Sequence, residues 1–321
     1  MTRTEVLTGE PVGDSVAGGP PPGPAEPATR ESLAKGLLRT ARPRQWVKNV
    51  LVFAAPGAAG VLTEAEPVLK ALAAFALFCL AASGAYFLND AFDVAADRRH
   101  PVKRRRPVPA GSVGVGAAKI FGAGLLLVSV AGAFALAGWS LTLVLGAYVA
   151  LQPLYSLWLK HLVVVDIAAV ASGFLLRAIA GGVAVDVPIS SWFLTVAGFG
   201  SLFMVAGKRH AEHIDLGDER GDHRPTLDVY SSDFLRYVRS VSSSVAIAAY
   251  CLWAFEKADV AGAPLWFQLS IVPFVLSVLR YGLLLESGRG GAPEELVLED
   301  RSLQVLGVLW LACFAAGVYV A

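Results

Sequence analysis

The sequence predicts an all-α, polytopic membrane protein of nine transmembrane helices. Three observations carry that prediction. The chain of 321 residues is 55% hydrophobic and only 17% charged, with a mean hydropathy of +0.57, where a soluble domain is nearer ~45–50% apolar and ~25% charged. Apolar runs of about 17–25 residues recur, the length at which a helix crosses a bilayer. Lys and Arg gather in alternate intervening segments, as loops on the cytosolic side do. The net charge of +1 is uninformative as a sum.

In chain order, residues 1–40 include "PVGDSVAGGPPPGPAEPATR", rich in Pro, Gly, Ala and Glu. The stretch lacks a signal-peptide core and the hydrophobicity to fold alone, so a disordered cytosolic tail is expected there. The membrane domain follows over 41–321. Its runs lie near 46–63, 69–91, 114–136, 139–158, 162–183, 188–207, 234–256, 264–285 and 302–320. The first is the weakest, interrupted by Pro56 and several glycines. With the N-terminus inside, the inner segments are 1–48, 92–113, 159–161, 208–233 and 286–301. They hold Arg42, Arg44 and Lys48, then Arg98 to Arg106, Lys160, Lys208, Arg209, Arg220, Arg224, Arg289 and Arg301. The outer segments offer only Lys70 and Lys257, at helix edges. Removing one span would scramble this sorting. Cys79, Cys251 and Cys313 sit singly in apolar runs and read as buried hydrophobes rather than a disulfide framework or zinc site.

Chemistry concentrates at the inner ends. In "LNDAFDVAADRRHPVKRRRP", Asn89, Asp93 and Asp97 are spaced i, i+4, i+8 and would form one stripe on a helix, with Asp90 off the stripe. Oxygen donors without Cys or His suit a hard cation, Mg²⁺ above all, shared with substrate phosphates. The arginines that follow serve topology in any case and also fit phosphate. A second group is Tyr155, Ser156, Lys160, His161 and Asp166. Arg177 lies eleven residues beyond Asp166 on about the same face, and an Arg at that depth must face protein or water; whether it meets a carboxylate or an anion stays open. A third group, "GKRHAEHID", supplies Lys208, Arg209, Glu212 and Asp215, with a plain i,i+4 ion pair between Lys208 and Glu212 as the simple alternative. A fourth, "RPRQWVKN", offers Arg44, Gln45 and Lys48 as an anion-binding edge, or only Trp46 as an interface anchor.

The pattern N-x-x-x-D-x-x-x-D followed by "HPVKRRRPVPAG", with "RPRQWVKNVLVFAAP" and "YSLWLK", resembles the UbiA superfamily of intramembrane prenyltransferases. The resemblance implies a nine-helix bundle with a cytosol-facing cavity and two Asp-rich motifs that hold Mg²⁺ and a diphosphate. Where the second motif, D-x-x-x-D, is expected, this chain reads "GKRHAEHID". That departure, with "DIAAVASGFLLRAIAGGVAV", "WFLTVAGFGSLFMVAGKRHAE" and "YCLWAFE", is similar to an actinobacterial branch. That branch transfers 5-phosphoribose from phosphoribosyl diphosphate (PRPP) to decaprenyl phosphate, a step towards cell-wall arabinan.

The resemblance implies Asn89, Asp93 and Asp97 around Mg²⁺ and the diphosphate, with Lys103 and Arg106 neutralising the leaving group. It implies Lys208 and Arg209 on the 5-phosphate or the lipid phosphate, and Lys48, Tyr155, Lys160, Asp166, Arg177 and Glu212 along the substrates. Membrane lipids are expected partners, nucleic acid is not, and a homo-oligomer is left open. Two alternatives stand beside this reading: a transferase using a prenyl diphosphate donor with an aromatic or lipid acceptor, and a transporter built on Asp166 and Arg177.

Overall fold

The structure is a computed structural model that describes residues 32–215, 225–261, 264–287 and 293–320. Every regular element among the described residues is helical. The longer helices are α1 (Leu33–Ala41), α2 (Ala54–Ala58), α3 (Ala65–Phe92), α4 (Val94–Arg99), α5 (Val115–Leu157), α6 (Val165–Ala184), α7 (Ser191–Asp215), α8 (Pro225–Val229), α9 (Ser232–Ala261), α10 (Pro264–Glu286), α11 (Pro293–Glu299) and α12 (Arg301–Tyr319). A 3₁₀ segment, Pro43–Phe53, joins α1 to α2. Residues 1–31 of the expected tail, with Arg220, Arg224 and Arg289, lie outside the described residues; the last part of that tail is helix α1.

Among the described residues, seven helices are long and apolar enough to cross a membrane: α3, α5, α6, α7, α9, α10 and α12. The 43 residues of α5 are twice the length of one crossing, and the chain turns back inside them. Ala137 (φ −145, ψ 28) and Gly138 (φ 60, ψ −149) leave helical geometry, and the latter conformation is open only to glycine. Contacts establish the reversal. A Cβ on Gly132 would meet the Leu77 side chain at 2.5 Å, while the Tyr148 ring lies 5.2 Å from that of Phe78. Leu77 and Phe78 are neighbours, whereas Gly132 and Tyr148 on a straight helix would stand about 24 Å apart. The two limbs of α5 therefore occupy the third and fourth expected runs.

The first expected run, 46–63, is not one helix, and nine span-length helices are not reached among the described residues. The segment nonetheless runs antiparallel along α3: Arg42 meets Asp90, Trp46 meets Ser83, Asn49 meets Cys79 and Phe53 meets Phe75. A 3₁₀ helix rises about 2.0 Å per residue against about 1.5 Å for α3. The eleven residues Pro43–Phe53 thus keep pace with a longer stretch of α3. Pro56, Gly57 and Gly60 (φ +78) then end the element.

The slimmer 3₁₀ form also lets the backbone of this segment press against α6. An ideal Cβ on Gly181 would sit 1.7 Å from the Val52 carbonyl oxygen, backbone that has no rotamer to move aside. Gly181→Ala is expected to cost about 2–3 kcal/mol by overpacking, read as a lower melting temperature of the detergent-purified protein. A variant as stable as the parent would show that the segment is not held there.

Around these contacts, Val52, Ala74, Phe78, Ala81, Leu141, Leu145, Tyr148 and Ala180 form the largest core. An aromatic core of Tyr250, Trp253, Phe267, Phe274, Trp310 and Phe314 joins α9, α10 and α12. The C-terminal ends of α3, α5 and α7 and the start of α6 fall at one end of the bundle. The charged side chains collect there.

Candidate active site

Two polar clusters at that end carry the residues singled out by the sequence, and Arg177 lies buried beneath them. The first is built where α3 stops. Asp93 takes φ −87, ψ 6 and separates α3 from α4. The N–H of Asp93 still donates to the Asn89 carbonyl (2.9 Å), and that of Asp97 to the Asp93 carbonyl (2.8 Å). The three stripe residues thus remain one turn apart, but they do not share an environment: Asn89 is half-buried, Asp93 exposed and Asp97 buried.

Arg106, brought back by the turn after Lys103–Arg105, donates from Nη1 to Asp97 Oδ2 (2.9 Å) and to Asp90 Oδ1 (3.3 Å). Asp90 Oδ1 also accepts from Arg42 Nη2 at 2.7 Å, and Arg42 lies over the Tyr86 ring. Asp90, which sequence spacing set aside, is thus the buried centre of this cluster, 2% exposed. Lys103 is exposed on the turn.

The second cluster joins α5, α6, α7 and α8. Arg209, 2% exposed, donates to Asp166 Oδ2 (3.1 Å), Glu212 Oε2 (2.8 Å) and the Tyr155 hydroxyl (3.1 Å). Lys208 stands at its rim, 3.9 Å from Glu212. Asp166 is fully buried and receives further hydrogen bonds from the hydroxyls of Thr226 and Tyr230. The residues expected to bind substrate separately are therefore partners of one another. Thr226 and Tyr230 escaped the sequence reading because a lone Thr and Tyr in a polar loop carry no periodic signal.

Tyr230 also fixes the backbone. Its hydroxyl accepts the Val164 N–H at 2.7 Å, and Val164 has φ +70, ψ −44, a region that a β-branched residue enters only under constraint. Burial first, and then the hydrogen bond to Asp166, raise the Tyr230 pKa, so the phenol stays a neutral donor. Tyr230→Phe is expected to lower stability by about 1–3 kcal/mol by stranding buried polar groups. Adding Val164→Gly should recover part of the loss, because glycine takes positive φ without strain. Thermal unfolding of the single and double variants checks both.

Deeper in the bundle, Arg177 meets no carboxylate among the described residues. Nε donates to Asn49 Oδ1 (2.7 Å), Nη1 to the Gly173 carbonyl (2.7 Å) and Nη2 to the Tyr148 hydroxyl (2.8 Å). The guanidinium also lies 4.6 Å from the Tyr148 ring centroid. Asn49 in turn donates to Cys79 Sγ. Arg177 thus pins the 3₁₀ segment to α5 and α6 and belongs to neither cluster. Lys48 and Lys160 are half-buried on the 3₁₀ segment and on the turn Leu159–His161.

Among the described residues, no three Cys, His, Asp or Glu side chains come together to hold a metal by themselves. The donors at the first cluster are all oxygens, and Mg²⁺ is ordinarily held by one or two carboxylates with substrate phosphates and water completing its shell. Asp93 and Asp97, with the Asn89 amide, fit a cation that arrives with a phosphate rather than one caged by protein.

Comparisons with known proteins give the family and the fold. The model of the UbiA prenyltransferase family matches residues 50–295. A decaprenyl-phosphate phosphoribosyltransferase of Corynebacterium glutamicum is 45% identical over 90% of this chain and 89% of its own length. The protein of that name from Mycobacterium tuberculosis is 46% identical over 89% and 95%. Among solved structures, a UbiA homolog from Archaeoglobus fulgidus bound to GPP and Mg²⁺ superposes with a TM-score of 0.64, at 16% identity, over 89% of this chain and all of that one; the likeness is one of fold.

Proposed function

The chain belongs to the UbiA prenyltransferase family, and from that premise we propose that it transfers 5-phosphoribose from PRPP to a polyprenyl phosphate, decaprenyl phosphate by the names of its relatives. The observation that carries this reading is Arg209. At the place where a prenyl-diphosphate transferase would present a second pair of aspartates, this chain buries an arginine against Asp166 and Glu212.

The reaction needs little acid–base help. A phosphate oxygen of the lipid, already anionic, attacks C1 of the ribose. The bond from C1 to the diphosphate oxygen breaks, and diphosphate leaves with its electron pair. Positioning and charge neutralisation therefore supply the catalysis. Magnesium, held with the diphosphate by Asp93, Asp97 and Asn89, would add neutralisation of the leaving group.

The Arg106–Asp97 pair is suited to exchange: the guanidinium turns to the diphosphate as the carboxylate turns to the cation. Lys103, exposed beside it, reaches the same anion. Lys208, at the open rim of the second cluster, takes the 5-phosphate or the lipid phosphate. Arg209 keeps Asp166 and Glu212 from repelling that phosphate. The ends of α3, α5 and α7 face the cytosol in this reading, where PRPP is found, and the prenyl tail lies among the helices.

Incubating the purified protein with labelled PRPP, polyprenyl phosphate and Mg²⁺ is expected to yield a labelled lipid and diphosphate in equal amounts. Prenyl diphosphate with aromatic acids is expected to yield nothing. The reverse outcome assigns the other donor class.

A further inference from the structure

A third polar group lies on the side of α7 away from Arg209. His210 and Arg239 are 3% and 4% exposed, yet among the described residues His210 Nδ1 and both Nε and Nη1 of Arg239 have no hydrogen-bond partner. Buried polar atoms are nearly always paired, and three orphans converging from two helices need an occupant. Helix α10 closes the group from a third side. Gly207 lets it approach, since a Cβ there would meet Leu285 at 2.4 Å.

The next residue of α10, Glu286, pairs through Oε1 with Arg239 Nη2 and stands 3.8 Å from Arg236 Nε. Both Glu286 and Arg236 are about half exposed, their side chains at 45% and 54%, so the buried guanidinium lies directly behind a solvent-facing ion pair. Arg236 is also held by the exposed Asp233 at 2.9 Å.

We propose that His210, Arg236 and Arg239 form a binding site for a phosphate group, separate from the catalytic clusters, with Glu286 as the carboxylate that covers it when it is empty. Glu286 and the exposed Asp233 balance the two arginines, but Asp233 is paired with Arg236, and Nε and Nη1 of the buried Arg239 stay open among the described residues. An anion that displaces Glu286 gains the forked donors of Arg239, the geometry that suits phosphate. The position at the charged end of three membrane helices makes the headgroup of an anionic lipid and a free phosphate the two sources to separate.

The test uses full-length protein in neutral detergent, with thermal unfolding followed as dioctanoyl phosphatidylglycerol, dioctanoyl phosphatidylcholine or inorganic phosphate is added. Glu286→Gln removes the covering carboxylate and is expected to lower the half-saturating concentration several-fold. Arg236→Ala, at an exposed position, is expected to raise it several-fold. Stabilisation by the phosphatidylglycerol alone, shifted by both variants, identifies a lipid site. The same shifts with inorganic phosphate identify a site for the free anion. No stabilisation by any probe, or stabilisation that both variants leave unchanged, overturns the proposal, since the latter belongs to the catalytic clusters. Labelled-product assays on the same variants keep this outcome apart from that of the proposed transfer reaction.

Discussion

Asp93→Asn is expected to lower turnover by at least about 10²-fold, the scale on which removal of one preorganised charge-stabilising group acts, while leaving stability within about 0.5 kcal/mol of the parent. The pairing of these two outcomes comes from the structure. Asp93 is exposed at the break between α3 and α4 and takes no part in the salt bridges of the first cluster. Its neighbour Asp97 is buried against Arg106, so Asp97→Asn should lose activity and also about 1–3 kcal/mol of stability. Diphosphate release, titrated against Mg²⁺, and thermal unfolding separate the two variants. Near-normal turnover in Asp93→Asn would remove the metal–diphosphate reading of this end of α3.

The second large effect is at Arg209. Arg209→Met leaves Asp166, fully buried, with only hydroxyl partners and strips Glu212 of its closest cation. Breaking a buried pair on one side costs about 3–5 kcal/mol, much more than removing both charges together. The double variant Arg209→Met/Asp166→Asn is therefore expected to regain most of the lost stability, because Tyr230 and Thr226 still serve the amide. It is not expected to regain transfer activity, because Lys208 then stands beside an uncompensated Glu212. Unfolding curves and labelled-product assays on the two single variants and the double complete the cycle. A double variant that recovers both would reduce the pair to a structural brace.

The span positions were legible because hydropathy and charge report what a helix must meet along its length, and both act locally. Even the reversal at Ala137–Gly138 fell between two expected runs. What local pattern does not report is how a backbone is wound: the run 46–63 is apolar enough to cross, but the 3₁₀ winding of its first part goes with a backbone approach to Gly181, more than a hundred residues later.

The site divides in the same way. Asp93, Asp97 and Arg177 stood out because ionisable groups at membrane depth are costly, and Arg106 and Arg209 because they fall in motifs that the family resemblance singles out. Their pairings did not, since Arg209 finds Asp166 across two helices and Arg177 finds Asn49 across 128 residues. Asp90 was misplaced by periodicity for a definite reason: its partners, Arg42 and Arg106, come from the loops on either side of the helix. Helical spacing carries no information about either.

The turn within α5 has a consequence for how the protein is made. Two crossings joined through Ala137 and Gly138 leave no polar loop for the far side of the membrane, and no length of chain on which one limb can wait for the other. The pair is therefore expected to enter the bilayer together, as one hairpin. Phe134 and Trp139, whose rings meet at 5.1 Å across the bend, would be the first contact of that hairpin to form. A charge placed at the bend should therefore show first as a defect in biogenesis, seen as degraded or mistargeted chain rather than as a stable enzyme with altered kinetics.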